Sequence, residues 1–324
     1  MNAGGLIAHA CALLAAVSAG CTRPPATPTG QPTTSAAVST LRDWVVDPPL
    51  VDSERALPCP RLLSAAPNIT EICGALGLTE HLVGRTRYCL YPPAIARVRS
   101  IGALNDLNVE TLLQIRPELI IVSGASRAIA DRLTRLGLRY EAVPDWTLAD
   151  LFTAIERIGG LTGRPRTAAR LIDGIRADLD TVTTRYHTMR PARVLLLTGP
   201  LAAPPTPPDA AGPGSFYDDL LRRVGHTNVV AAGGGAFAPV ALEFVLRADP
   251  DVIIELAPDA TQRPAGDADA LRAWAQVGPL RAVATRRVHV LIGPQHFELG
   301  PRIAQTFEAI CSIMANEQHE SAAH

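Results

Sequence analysis

The sequence predicts an α/β fold of two βα lobes with parallel sheets, bridged by one long interdomain helix. Two patterns support this prediction. Short apolar segments alternate with amphipathic segments of helical period, first in residues 58–163 and again in residues 191–318, and strands that alternate with helices form parallel sheets. Between them, residues 164–190 contain a single helical pattern. The chain of 324 residues is long enough for two domains.

The N-terminal lobe is predicted to contain four strands. A short apolar strand at residues 61–64 precedes a helix that begins at Pro67, where Asn68 and Glu71 have the spacing of a capping box. The other strands are predicted at residues 82–86, 118–122 and 139–143, and the other helices at residues 108–116, 127–136 and 145–158.

The bridge and the elements of the C-terminal lobe are predicted from the same kinds of sequence pattern. Residues 165–189 have apolar side chains at steps of three and four, which is typical of a helix with one buried face. Strands are predicted at residues 193–197, 228–230, 251–256 and 288–292, helices at residues 215–224, 239–248, 267–276 and 301–315, and a tail at residues 319–324. Residues 110–121 and 243–254 both run from a glutamate through a helix, a proline and an acid into an apolar strand. The two lobes are therefore predicted to be related.

The composition excludes several classes of function. The chain has 30 basic and 31 acidic residues and a net charge of −1, which argues against a nucleic-acid partner. Every basic residue is arginine, so neither a P-loop lysine nor a Schiff-base lysine is possible. The sequence also lacks a Cys-x-x-Cys or His-Glu-x-x-His motif and a nucleophile–base set of residues. We therefore expect no catalytic residues, no metal site and no resident cofactor.

The N-terminus is predicted to direct export. Residues 1–20 contain a short apolar segment that ends in small residues, as in a secretory signal peptide. The junction at Cys21 resembles that of a bacterial lipoprotein, which implies a lipidated cysteine; a plain cleaved signal is the alternative. Residues 21–57 are rich in Pro, Thr, Ser and Ala and are predicted to be a disordered tether. The protein is expected in the periplasm or at the cell surface, anchored to the membrane by lipid.

Two segments of the N-terminal lobe resemble a known family. Residues 61–71 (RLLSAAPNITE), followed by residues 74–78 (GALGL), look like the periplasmic binding proteins of ABC importers for cobalamin, haem and ferric siderophores. Residues 87–93 (RYCLYPP) are similar to a segment of the members that bind vitamin B12. The resemblance implies a monomeric receptor that holds cobalamin or a related corrinoid between its lobes and delivers it to a permease and ATPase complex. Haem or a ferric siderophore is the alternative ligand.

The same resemblance implies five ligand-binding residues. Tyr88 stands at the position that packs on the corrin ring, and Leu104 and Phe237 stand where B12-binding members tend to have tryptophan. His296 and Phe297 follow a late strand. His296 is expected either to ligate the metal of the ligand or only to donate or accept a hydrogen bond, and Phe297 is expected to form a second wall.

Glu110 and Glu243 are the paired glutamates of the internal repeat. In the family one glutamate of each lobe docks onto arginines of the permease, so the resemblance implies this role for both; the alternative is an ordinary acid in the first turn of a helix.

The four cysteines beyond Cys21 allow three pairings. Of these we expect a disulfide between Cys73 and Cys89, because the two are close along the chain. Cys311 is expected to be a buried free thiol.

An enzyme of the chelatase type is the alternative from another class of protein. It would require a histidine and a glutamate that face the cleft together. The nearest candidates in the sequence are His296 and Glu298, and residues this close in an extended segment point in different directions.

Overall fold

The computed structural model describes most of the chain beyond its first 40 residues. The described residues are 41–48, 58–103, 108–124, 127–201, 206–230, 235–259 and 266–321. No helix within these ranges is both long enough and apolar enough to cross a membrane. Cys21 and Leu104 lie outside the described residues, as does the predicted signal peptide.

The N-terminal lobe has a four-stranded sheet that is parallel, as predicted, and its strand order is β2-β1-β3-β4. Its apolar strands are buried between helices. The elements are β1 (Leu62–Ser64), α1 (Pro67–Ala75), β2 (Leu82–Arg85), α2 (Val109–Ile115), β3 (Leu119–Ser123), α3 (Arg127–Arg135), β4 (Tyr140–Val143) and α4 (Leu148–Leu161), with short 3-10 helices at Thr79–His81 and Pro93–Arg97.

The C-terminal lobe has a six-stranded sheet with the order β10-β9-β5-β6-β8, in which β7 also pairs with β5. Its elements are β5 (Arg193–Leu197), β6 (Asp209–Ala211), α6 (Phe216–Arg223), β7 (Thr227–Asn228), β8 (Phe237–Pro239), α7 (Leu242–Ala248), β9 (Val252–Ala257), α8 (Asp267–Ala275), α9 (Arg281–Ala284), β10 (Val288–Ile292), a 3-10 helix (Pro294–Phe297) and α10 (Ile303–Ser321).

The parallel sheet predicted for this lobe is extended by two antiparallel strands. β6 pairs with β5 and with β8 in antiparallel orientation, while β5, β9 and β10 are parallel. Both added strands have only three residues and lie beside prolines, so neither has the length or the alternation from which a strand can be predicted. Pro239 belongs to β8, and the helix expected from residue 239 begins at Leu242.

The bridge between the lobes is α5 (Pro165–Tyr186), a helix of 22 residues. At 1.5 Å per residue it is about 33 Å long. Its apolar face is buried against α4 of the first lobe and α10 of the second. The buried residues of this face are Ala168, Leu171, Ile172, Ile175, Leu179 and Val182. They belong to one hydrophobic cluster that also includes residues of both lobes, so a single core joins the two sheets.

Residues 41–48 correct the prediction of a disordered tether. Trp44 is only 8% exposed, and its Nε1 donates a hydrogen bond to Asp178 Oδ2 of α5 at 2.7 Å. The indole lies on Gly174, where a Cβ atom would come within 2.2 Å of the ring. Val45 packs on Gly74 of α1 in the same way. The segment has no periodic pattern, and it folds here because two glycines of distant helices leave room for its side chains.

Cys73 and Cys89 correct the predicted disulfide. Both are buried free thiols, as is Cys311. Burial raises the pKa of Cys73 to about 12, and the sulfur of Cys89 lies 3.1 Å from Thr86 Oγ1. Hydrogen bonding and apolar packing, rather than a covalent link, hold this part of the lobe.

The contact between Trp44 and Gly174 predicts that Gly174→Ala changes the free energy of unfolding in opposite directions in the presence and in the absence of the indole. Gly174→Ala is expected to destabilise the protein by about 1–3 kcal/mol, because the new methyl group displaces the indole. In a Trp44→Ala background the same change is expected to stabilise by about 0.5–1 kcal/mol, because alanine is the better helix former. Urea unfolding of the four chains measures both effects.

Val46→Ala serves as the control, since Val46 is 57% exposed in the same segment. A Gly174→Ala effect that is equal in both backgrounds would contradict the packing described here.

Candidate ligand-binding cleft

The carboxyl ends of the parallel strands meet at one edge of each sheet, and ligands of open α/β sheets bind at such edges. In the N-terminal lobe, Tyr88 follows β2, and Asp145 and Trp146 follow β4. In the C-terminal lobe, Phe297 follows β10 and Phe237 begins β8. We use "the cleft" for the region between the lobes bounded by these five residues.

Aromatic rings meet across the cleft. The rings of Trp146 and Phe237 are 5.9 Å apart between centroids and tilted by 37°, and Phe237 lies edge-to-face with Tyr217 at 6.1 Å. Phe237, predicted from the family resemblance, is therefore placed opposite the first lobe. Trp146 was missed, because the sequence places it at the start of a predicted helix. Its signal was its rarity in a chain with 4% aromatic residues.

Tyr88 and Tyr91 have different surroundings. Tyr88 is partly exposed at the cleft, and the Arg87 guanidinium lies 5.4 Å from its ring centroid. Tyr91 instead lies under the Arg302 guanidinium, at 4.0 Å, and its hydroxyl donates to Asp43 of the docked N-terminal segment. Tyr91 is thus engaged by Arg302 of the other lobe and by Asp43, whereas the ring of Tyr88 contacts its neighbour Arg87.

A buried ion pair joins the lobes beside Tyr91. Arg302 Nε donates to Glu71 Oε2 at 3.1 Å, and a second bond joins Arg302 Nη2 to Glu71 Oε1. Glu71 is 2% exposed, and its burial raises its pKa although Arg302 opposes the shift. The predicted capping box is absent: Ala66 is the N-cap of α1, and Glu71 faces Arg302.

Glu298 lies against α1 of the other lobe. The backbone of Asn68, in the first turn of that helix, where the dipole favours an anion, lowers the pKa of Glu298. Burial, followed by the charge of Glu71, raises the pKa of Glu298 to about 8, and Asp145 adds to the shift. The interior of this contact is therefore rich in acidic groups.

His296 is placed differently from the expectation that it contacts the ligand metal. Its side chain is 6% exposed; Nδ1 lies 3.1 Å from Thr306 Oγ1 and Nε2 lies 3.2 Å from the Gln295 amide. Burial, followed by the charge of Arg302, lowers its pKa to about 4, so the imidazole is neutral. Both ring nitrogens are occupied, which agrees with the hydrogen-bonding role expected for His296 rather than with that of an axial ligand. Phe297 beside it is partly buried against the core.

The same contacts bear on the chelatase alternative. His296 faces Thr306 of α10, whereas Glu298 faces Asn68 of the other lobe. The two side chains do not form a histidine–glutamate pair. Among the described residues, no group of three or more His, Cys, Asp or Glu side chains lies together so that it could hold a metal.

Glu110 and Glu243 occupy equivalent positions in the two lobes. Each is exposed in the first turn of a seven-residue helix, α2 or α7. Each helix ends on a left-handed residue, Arg116 with φ 46° or Asp249 with φ 39°, before a buried strand. The internal repeat seen in the sequence is thus also a structural repeat. It presents one carboxylate per lobe to solvent.

Comparison with known proteins agrees with this architecture. Residues 63–293 match the model of the family described as periplasmic binding protein. A vitamin B12-binding protein of Vibrio cholerae is 24% identical over 269 residues, which are 82% of this chain and 93% of the relative.

Two solved structures show the same fold. The periplasmic vitamin B12-binding protein of Vibrio cholerae is 25% identical, with a TM-score of 0.66 over 81% of this chain and 98% of that one. A periplasmic haem-binding protein from Pseudomonas aeruginosa is 24% identical, also with a TM-score of 0.66, over 79% of this chain and 92% of that one.

Removal of Arg302 tests the interlobe ion pair. Arg302→Met is expected to cost about 3–5 kcal/mol at pH 8, because Glu71 is left as an uncompensated buried carboxylate. Glu71→Gln in the same chain is expected to recover part of this loss. Urea unfolding at several pH values measures both effects.

The pH dependence has a defined sign. Without Arg302 the pKa of Glu71 in the folded protein lies further above its ordinary value of 4.5. A carboxyl whose pKa is raised in the folded protein lowers the free energy of unfolding as pH rises above 4.5. The stability lost by Arg302→Met is therefore expected to become smaller as pH falls toward 4.5. Arg97→Met, at an exposed arginine, is the control. A loss under about 1 kcal/mol at pH 8 would show that the pair is not what holds the lobes.

Proposed function

The chain belongs to the periplasmic binding protein family, and from this premise we propose that it captures cobalamin or a related corrinoid in the cleft and delivers it to an ABC importer. The observation that carries the proposal is the pairing of Trp146 with Phe237 across the lobes, with Tyr88 at the same edge. Aromatic faces and edges suit a flat macrocycle. The relatives of Vibrio cholerae that are named for vitamin B12 support the same ligand.

The state of the arginines favours a corrinoid over an anionic iron chelate. Haem and many siderophores present carboxylates or other anions that require cationic partners. Arg302 is committed to Glu71, and Arg85 donates to the carbonyl oxygens of Ile95 and Val98. Arg87, by contrast, is exposed beside Tyr88.

Glu110 and Glu243 are proposed to dock the receptor on the permease. The shared core along α5 holds the two lobes together, so the separation of the two carboxylates is set by the fold. Charges at the rim of an interface contribute to orientation and to the rate of association more than to affinity. An importer permease with its ATPase is accordingly the proposed partner.

The location of the protein is proposed from the sequence of its first residues. Export by the signal peptide and lipidation at Cys21 would hold the receptor at the membrane surface. The chain between Cys21 and the docked residues 41–48 would then span the distance to the lobes.

Ligand titration tests the proposed function. The purified protein is expected to bind cyanocobalamin more tightly than haemin or a ferric siderophore, as measured by calorimetry and by absorption spectra. Phe237→Ala is expected to weaken cobalamin binding about tenfold, because one aromatic wall is lost. Leu113→Ala, at an exposed position of α2, is the matched control. Preferred binding of haemin would overturn the choice of ligand.

Charge reversal tests the docking role. Glu110→Arg with Glu243→Arg is expected to leave the Kd for cobalamin unchanged and to reduce uptake at least tenfold in cells that carry the importer. The control is the double variant Glu80→Arg and Glu156→Arg, which changes the net charge by the same amount at two other exposed glutamates. This control is expected to preserve uptake. Loss of ligand binding, or normal uptake, in the first variant would contradict the assignment.

A further inference from the structure

One carboxyl oxygen at the cleft has no hydrogen-bond partner within the part of the chain that the structure describes. Asp145 is 9% exposed. Its Oδ2 accepts a hydrogen bond from Ser123 Oγ at the end of β3, whereas its Oδ1 is buried without a hydrogen bond among the described residues. A buried acceptor that lacks a donor is destabilising, and native proteins retain few of them.

Asp145 is not used by the helix that follows it. The N-terminus of α4 is capped by Thr147, whose side chain accepts from the Asp150 backbone N–H. Asp150 Oδ2 in turn accepts from the backbone N–H groups of Trp146 and Thr147. The first turn of α4 is thus satisfied without Asp145. This local role, which is the usual one for an aspartate at such a position, does not account for it.

Asp145 lies among acidic groups. Burial and the neighbouring charge of Asp150 raise its pKa to about 6, so it is largely ionised at neutral pH. Glu298, whose pKa Asp145 helps to raise to about 8, is largely protonated there, and Glu71 is paired with Arg302. A ligand carboxylate placed here would meet the negative charges of Asp145 and Asp150, whereas a neutral N–H donor would complete the hydrogen bonding of Oδ1.

We infer that Asp145 is a specificity-determining residue of the cleft, whose Oδ1 accepts a hydrogen bond from a carboxamide N–H of the ligand and discriminates against a carboxylate at the same place. The inference rests on the proposed function, because a corrinoid carries peripheral carboxamides. It extends that function by stating which chemical group the cleft distinguishes.

The test compares cyanocobalamin with its monocarboxylates, in each of which one peripheral carboxamide has been hydrolysed. The unmodified chain is expected to bind cyanocobalamin at least tenfold more tightly than one of the isomeric monocarboxylates. Asp145→Asn is expected to reduce this ratio to about threefold or less, because it removes the charge. Asp145→Ala is expected to weaken cyanocobalamin binding about tenfold. Asp131→Asn, at an exposed position of α3, is the matched control.

A stability measurement separates this role from a structural one. If Oδ1 serves a ligand, Asp145→Asn leaves the melting temperature of the free protein unchanged or raises it, since an unpartnered buried charge is removed. A variant that loses stability or fails to fold would overturn the inference, as would unchanged affinity and discrimination in both variants. Failure of the unmodified chain to bind cyanocobalamin would overturn the proposed function and this inference together.

Discussion

The architecture depends on the apolar face of α5. One row of buried residues, which includes Leu171, Ile175 and Val182, packs on α4 on one side and on α10 on the other. Because these contacts belong to one hydrophobic cluster that extends into both sheets, moving one lobe against the other would expose apolar surface. The relative position of the lobes is therefore set by a shared core, and the rings of Trp146 and Phe237 are in contact where the lobes meet.

Buried charged groups also lie where the two lobes meet. The pair of Glu71 and Arg302 crosses from one lobe to the other, and Glu298 lies against the Asn68 backbone of α1. The ion pair is not a strong source of stability by itself, since removing two charges from water is costly. Its geometry is specific, because Glu71 accepts two hydrogen bonds from Arg302. Asp145 also belongs to this acidic region, and among the described residues no donor binds its Oδ1.

Much of the fold and part of the site could be predicted from the sequence. The βα succession, the bridging helix from Pro165 and the repeated segments that begin at Glu110 and Glu243 all depend on local periodicity and on proline, and the structure contains each of them. The short strands β6 and β8 could not be predicted, because three residues beside prolines have no period. His296 has a sequence position that suggests contact with a ligand, yet Thr306 and Gln295 occupy its ring nitrogens.

The succession of strands and helices along the chain, the two lobes, the bridge between them and the resemblance of residues 61–71 and 87–93 to a family of binding proteins all follow from the sequence. Three contacts could be learned only from the folded chain: Arg302 meets Glu71, 231 residues away, Trp44 rests on Gly174, and Trp146 faces Phe237. Sequence patterns are blind to these contacts because periodicity and capping act over one or two turns of chain. Contacts between distant segments depend on the space and the unpaired groups that remain once those local elements have packed together.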